Sequence, residues 1–137
     1  MYKKRTAVLL LIAVSLFSMM LAACGKNDTL ESYIKNNQEA QEAIDEVIAS
    51  SAEQGVVVEI KGNEIIYNCD ISGMEGITSE LAKSDQVKDL LKEGMDGQAE
   101  NFKEVASYMS ELSGIDDIKV VVKYTYENET ILQNTYE

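Results

Sequence analysis

Residues 56–69 read VVVEIKGNEIIYNC, two runs of β-forming residues on either side of Gly62-Asn63. A two-residue Gly-Asn loop between such runs is typical of a β-hairpin. The loop fixes the register, because Lys61 must then face Glu64 and Val56 must face Cys69. One side of the hairpin is apolar and is predicted to face the core: Val56, Val58, Ile60, Ile65, Tyr67 and Cys69.

A helix is predicted before this hairpin, over residues 29–53. Asp28 followed by Glu31 has the spacing of an N-cap and its capping-box partner. Apolar residues then recur at intervals of three and four. Asn36-Asn37 is expected to interrupt the helix and Gly55 to end it.

A second helical stretch follows the hairpin after a Gly-rich connection. Ser84 is the predicted N-cap, and apolar residues recur at intervals of three and four as far as Ser113-Gly114. Gly94 and Gly97 lie inside this stretch. Each costs about 1 kcal/mol relative to Ala in a helix. They are therefore expected to mark a kink or a close approach to the sheet.

The chain ends with a second pair of strands. Apolar and polar residues alternate over 118–126, which is typical of a β-strand, and a turn near Glu127-Asn128-Glu129 leads into Thr130–Tyr136. The register of this pair stays open, because Asn128 permits several loops. The order α-β-β-α-β-β predicts a single α+β domain over residues 29–137: two layers, with a four-stranded antiparallel sheet and helices on one face.

The N-terminus has the features of a lipoprotein signal peptide. Basic residues at 3–5 precede the uncharged stretch 6–23, and residues 21–24 read LAAC. Two small residues before a cysteine match the lipobox of bacterial lipoproteins, in which the cysteine receives a diacylglyceryl group. We therefore expect cleavage after residue 23, lipidation of Cys24 and a short tether over residues 24–28. The alternatives are an ordinary signal peptide and an uncleaved N-terminal membrane helix.

Composition excludes several kinds of chemistry. The 137 residues include no His, so the chain has no imidazole base or ligand. The formal net charge of −12, which becomes −15 when residues 1–23 are removed, argues against nucleic acid as a partner. With Cys24 lipidated, Cys69 would be the one remaining thiol, and it is expected to be a small buried hydrophobe. No catalytic, metal-binding or cofactor-binding motif is found, and a cation site would have to use carboxylates alone.

Tyrosines on the last pair of strands are the strongest candidates for a partner surface. Tyr124, Tyr126 and Tyr136 cluster there, and Tyr is common at interfaces because it combines a large apolar ring with a polar tip. The alternative is that Tyr67 and Tyr124 belong to the core. Thr130–Tyr136 is also expected to be an open sheet edge, to which another strand could add.

The chain also resembles a family of small Gram-positive bacterial lipoproteins that carry a single domain of unknown function. The resemblance rests on five segments: LAAC at 21–24, TLESYIKNN at 29–37, VVVEIKGNEIIYN at 56–68, KSDQVKDLL at 83–91 and IKVVVKYTY at 118–126. It implies a location in the cell envelope and one domain. The family has no assigned activity or ligand, so the resemblance implies no site beyond Cys24.

These observations favour a non-enzymatic binding or interaction module, anchored to the extracytoplasmic face of the cell membrane through lipid on Cys24. An envelope protein is the expected partner. The alternative is a lipoprotein that binds a small ligand or cation in a groove between helix and sheet near Gly94 and Gly97. A hydrolase that uses carboxylates is a third hypothesis.

Overall fold

A computed structural model describes residues 28–137. It is an α+β domain with one four-stranded sheet, in the order β1-β2-β3-β4. The chain forms, in sequence order, α1 (Leu30–Asn36), α2 (Gln38–Glu53), β1 (Val56–Lys61), β2 (Glu64–Asp70), α3 (Ser79–Ala82), α4 (Asp85–Gly97), α5 (Ala99–Ser113), β3 (Lys119–Tyr126) and β4 (Glu129–Tyr136). The predicted signal peptide, Cys24 and most of the tether lie outside the described residues.

The first hairpin has the register that its turn predicts. Val56 pairs with Cys69 and Lys61 pairs with Glu64, with every pair between them in step. Gly62 has a φ of 60°, which a residue without a Cβ adopts at little cost. The two-residue loop therefore sets the pairing, and the alternation of apolar and polar residues sets the face that is buried.

The prediction of a purely antiparallel sheet was wrong for its central pair. β2 and β3 run parallel, with Glu64 opposite Lys119 and Asp70 opposite Thr125, so the sheet is mixed. Parallel neighbours need a long crossover connection, which the helices between residues 70 and 119 provide. Both outer pairs, β1–β2 and β3–β4, are antiparallel.

Both predicted helical stretches are divided into shorter helices. Asn37 ends α1 and, through its side chain, caps α2 by accepting a hydrogen bond from the Ala40 N–H. The second stretch breaks at Gly97–Gln98, between α4 and α5, so the expected kink is confirmed. The close approach to the sheet is not: a Cβ built on Gly94 or Gly97 would meet no atom within 4 Å.

The last hairpin turns through Glu127 and Asn128, whose φ angles are 47° and 69°. Two positive φ angles in succession are the geometry that a tight two-residue hairpin requires. One irregularity follows the turn. Tyr124 pairs with Leu132 while Thr125 pairs with Thr130, so Ile131 is an extra residue that bulges from β4.

The core lies between the helices and one face of the sheet. It joins inward side chains of the strands, such as Val58, Ile65 and Val122, to helix residues such as Ile44 and Met109. We call the opposite side of the sheet the outer face. The outer face carries Val57, Glu59, Lys61, Glu64, Ile66, Asn68, Asp70, Lys119, Val121, Lys123, Thr125, Thr130, Gln133 and Thr135. In the part of the chain that the structure describes, no helix has the length and hydropathy that a membrane crossing requires.

Candidate functional site

The start of α1 is held by hydrogen bonds to the β1–β2 turn, and we call this arrangement the clamp. The Leu30 N–H donates to Asn63 Oδ1 at 3.0 Å. The Glu31 N–H donates to the Gly62 carbonyl at 2.9 Å, and the Gly62 N–H donates to Glu31 Oε2 at 2.8 Å. Asn63 also accepts the Lys119 N–H at 2.9 Å through its backbone carbonyl. The start of the domain is therefore fixed to the sheet within its first helical turn.

This clamp differs from the capping box that the sequence predicts. Thr29, not Asp28, is the N-cap, and its side chain accepts from the Ser32 N–H. The hydrogen bond from Gly62 and the nearby Lys35 lower the pKa of Glu31. Sequence spacing cannot distinguish a Glu that bonds within its own helix from one that reaches a turn more than thirty residues away. The long-range hydrogen bond between Glu31 and the β1–β2 turn was therefore not predicted.

The three tyrosines proposed as a partner surface occupy different environments. Tyr124 and Tyr136 are buried, with 9 % and 4 % exposure, and Tyr126 is half-buried. Burial raises the pKa of Tyr124 to about 12. Of the three rings, only Tyr126 therefore offers substantial surface to a partner, and the alternative that Tyr67 and Tyr124 belong to the core agrees with their burial.

Tyr67, Phe102 and Tyr136 form an aromatic cluster inside the domain. Phe102 stacks on Tyr136 with ring centroids 4.9 Å apart and lies 6.0 Å from Tyr67. The hydroxyl of Tyr136 donates to the Met95 carbonyl at 3.4 Å. The buried hydroxyls of Tyr67 and Tyr33 have no hydrogen-bond partner among the described residues, and burial raises the pKa of Tyr67 far above its ordinary value. Buried polar groups normally have a hydrogen-bond partner, so these two hydroxyls are exceptions in the core.

The region predicted to hold a groove is filled by side chains. Met95 lies between Gly94 and Gly97 in sequence and is only 2 % exposed. The ring of Tyr136 reaches this segment from β4 and bonds to its backbone. The contact between helix and sheet is therefore packed at this point.

The remaining reactive groups of the described residues are the Cys69 thiol and the acidic side chains. Burial raises the pKa of the Cys69 thiol to about 11, which makes it a poor nucleophile. Within residues 28–137, no three acidic or Cys side chains are grouped closely enough to hold a metal ion. Cys24, the predicted lipidation site, lies outside these residues.

β4 forms one edge of the sheet and has no charged residue from Thr130 to Tyr136. Two features interrupt this edge. The bulge at Ile131 breaks the regular pairing, and the Thr135 N–H donates to the Asn134 side chain at 3.0 Å. Bulges and local side-chain hydrogen bonds both compete with the addition of another strand. A partner that extends the sheet along the whole of β4 is therefore disfavoured.

Charge is divided unequally between the two layers of the domain. The five helices described above contain fourteen acidic residues and four lysines. The four strands contain four acidic residues and three lysines. The helical layer therefore carries most of the negative charge, and the sheet is close to neutral.

Residues 30–136 match the model of a family described as Domain of unknown function (DUF4854). No curated protein and no solved structure matches the chain. Because the match covers nearly the whole described domain, the chain belongs to this family.

Proposed function

We propose that this member of the DUF4854 family is a Gram-positive bacterial lipoprotein, anchored to the extracytoplasmic face of the cell membrane through Cys24. The observation that carries the proposal is the sequence at the N-terminus. A basic start, an uncharged apolar stretch and LAAC at 21–24 are followed at once by polar residues. Two acyl chains on one cysteine give durable anchoring, whereas a single chain gives marginal binding.

The anchored domain acts as a non-enzymatic interaction module for another envelope component. Its acidic helical layer, the absence of His and the packed core all support binding at a surface. The clamp between α1 and the β1–β2 turn also supports this role, because it bonds the start of the domain directly to the sheet.

Lipidation is tested by feeding cells an alkyne-tagged fatty acid and measuring its incorporation into the protein. Label and membrane association are both expected to be lost in Cys24→Ala. Cys69→Ala is the matched control, since it removes the other cysteine and should keep both. Equal labelling of the wild type and Cys24→Ala would refute the anchor.

The interaction role is tested by surface cross-linking of the tagged protein in intact cells. One reproducible partner that is captured by the wild type and lost with Cys24→Ala would support the proposal. Tyr126→Ala would then test the half-buried ring, which is the most accessible of the three predicted tyrosines. Failure to capture any partner, despite normal surface expression, would overturn the interaction role and leave the anchor standing.

Binding of a small polar ligand is the second candidate function. The unpartnered hydroxyls of Tyr33 and Tyr67 favour it, since buried polar groups normally have a partner. A ligand that binds the folded state raises the melting temperature. A thermal-shift screen of small metabolites and Ca²⁺ tests this candidate, with Tyr67→Phe expected to abolish any shift that depends on that hydroxyl.

A further inference from the structure

We infer that the outer face of the sheet lies against the surface of the lipid bilayer, with the helical layer directed away from it. The inference rests on the proposed anchor at Cys24. It adds an orientation and a second, non-covalent contact with lipid headgroups. Three observations carry it: the division of charge, the composition of the outer face and the place where the tether enters the domain.

The division of charge selects which side can approach a bilayer. The helices hold fourteen acidic residues against four lysines, so this layer is repelled by anionic lipid. A helix is about 10 Å thick, which is close to one Debye length at physiological salt. With the sheet against the bilayer, the helical acids therefore lie where salt screens most of the repulsion.

The outer face carries three lysines, Lys61, Lys119 and Lys123, and three acidic residues, Glu59, Glu64 and Asp70, so its charges balance. Lys61 is opposite Glu64, Glu64 is opposite Lys119, and Lys119 forms an ion pair with Glu137 at 3.2 Å. Positive and negative groups thus alternate along one edge of this face, and Lys123 adds a positive charge nearer its centre. Such a surface suits lipid headgroups, which present both phosphates and cationic groups.

The tether enters the domain at the end of this same sheet. Leu30 and Glu31 bond directly to Gly62 and Asn63, which form the turn between β1 and β2. Only four peptide units separate Asp28 from Cys24, and they span at most about 14 Å. The lipid must therefore lie close to the end of the sheet that carries Lys61 and Lys119.

A bilayer surface fits this face better than a second copy of the chain does. Val57 is 52 % exposed, but the other two apolar side chains of the outer face, Ile66 and Val121, are 7 % and 3 % exposed. A stable dimer buries about 1,200 Å² or more around an apolar centre. The outer face offers one exposed valine among charged and amide side chains, which is a surface for polar headgroups.

The chain carries its own probes for the experiment, because it has lysines on both layers. The full lipidated protein is incorporated into vesicles of phosphatidylcholine with a minority of phosphatidylglycerol. Acetylation rates of individual lysines are then measured by mass spectrometry, on vesicles and in detergent. Lys61, Lys119 and Lys123 are expected to react about threefold or more slowly on vesicles, since the anionic surface covers their amines and favours their charged, unreactive form. Lys92 and Lys103, on the helices, are expected to be unchanged.

Lys123→Glu tests whether the face itself makes the contact, with Lys103→Glu as the matched control on α5. Lys123→Glu should reduce the protection of Lys61 and Lys119 on these vesicles, whereas Lys103→Glu should leave it unchanged. Uniform protection of all lysines, or protection of the helical lysines instead, would overturn the orientation. Flotation of the same samples separates this result from a failure of the anchor, because an unanchored protein would not float with the vesicles at all.

Discussion

Replacing Tyr67 with Phe should make the domain more stable. The hydroxyl of Tyr67 is buried and has no hydrogen-bond partner among the described residues, while the ring packs 6.0 Å from Phe102. An unsatisfied buried polar group costs about 1–3 kcal/mol. Removing the oxygen ends that cost and forfeits only a few contacts, so we expect a net gain of about 1 kcal/mol.

The gain is measured by urea unfolding of the chain that lacks residues 1–24, followed by far-ultraviolet circular dichroism because the protein has no Trp. A gain of 1 kcal/mol corresponds to a midpoint shift of about 0.5 M urea, and to a rise of about 4 °C in melting temperature. Tyr136→Phe is the matched control. Its hydroxyl donates to the Met95 carbonyl at 3.4 Å, so its removal should cost about 0.5 kcal/mol.

The reasoning fails if Tyr67→Phe lowers stability by as much as Tyr136→Phe does. Such a result would mean that the Tyr67 hydroxyl has a partner in solution, such as an ordered water or a bound ligand. The same measurement on Tyr33→Phe shows whether the second unpartnered hydroxyl behaves alike. Opposite signs at the two positions would locate the bound molecule next to only one of them.

Three further predictions concern two glycines, the Cys69 thiol and the Glu31 carboxylate. Gly94→Ala should stabilise the domain by about 1 kcal/mol in thermal unfolding, because the added Cβ meets no atom within 4 Å and α4 continues through this position. Gly55→Ala should destabilise the domain, because Gly55 has a φ of 80° that a residue with a Cβ rarely adopts. Alkylation of Cys69 at pH 8 should be about a hundredfold slower in the folded than in the urea-unfolded chain, since burial raises the thiol pKa from 9.0 to about 11; equal rates would contradict the burial. The pKa of Glu31 is lowered by its bond to Gly62, so its contribution to stability is complete above about pH 4.5 and is lost as pH falls through the lowered value. Glu31→Gln should therefore flatten the acid limb of the stability curve, and an unchanged limb would count against the clamp.

The sequence predicted those parts of the fold in which a local pattern has one solution. The Gly62-Asn63 loop allows one register for β1 and β2, and that register is observed. Asn37 was expected to interrupt the first helix, and it both ends α1 and caps α2. Each prediction depends on residues that are close together in the chain.

Features that depend on distant parts of the chain were not predictable. A connection of three helices can return to either end of the sheet, so the sequence between Asp70 and Lys119 does not reveal that β3 runs parallel to β2. The clamp joins Glu31 of α1 to Gly62 of the β1–β2 turn. The sequence pattern of each segment already accounts for its own structure, a helix start and a hairpin turn, so neither pattern indicates the contact between them. The burial of Tyr124 and Tyr136 was not predictable either, because alternation alone does not show which strand positions the helices cover.

The parallel pair at the centre of the sheet has a consequence for how the protein folds. Each residue of β2 meets a partner 55 positions later in the chain, from Glu64 with Lys119 to Asp70 with Thr125. The entropy of closing that loop must be lost before the pairing is gained, which slows folding relative to a chain of local hairpins. A chain that emerges N-terminus first must therefore leave the inner edge of β2 unpaired until residues 119–125 have emerged. During this interval the nascent domain is most exposed to aggregation and proteolysis, and a chaperone or rapid release of the C-terminus would protect it.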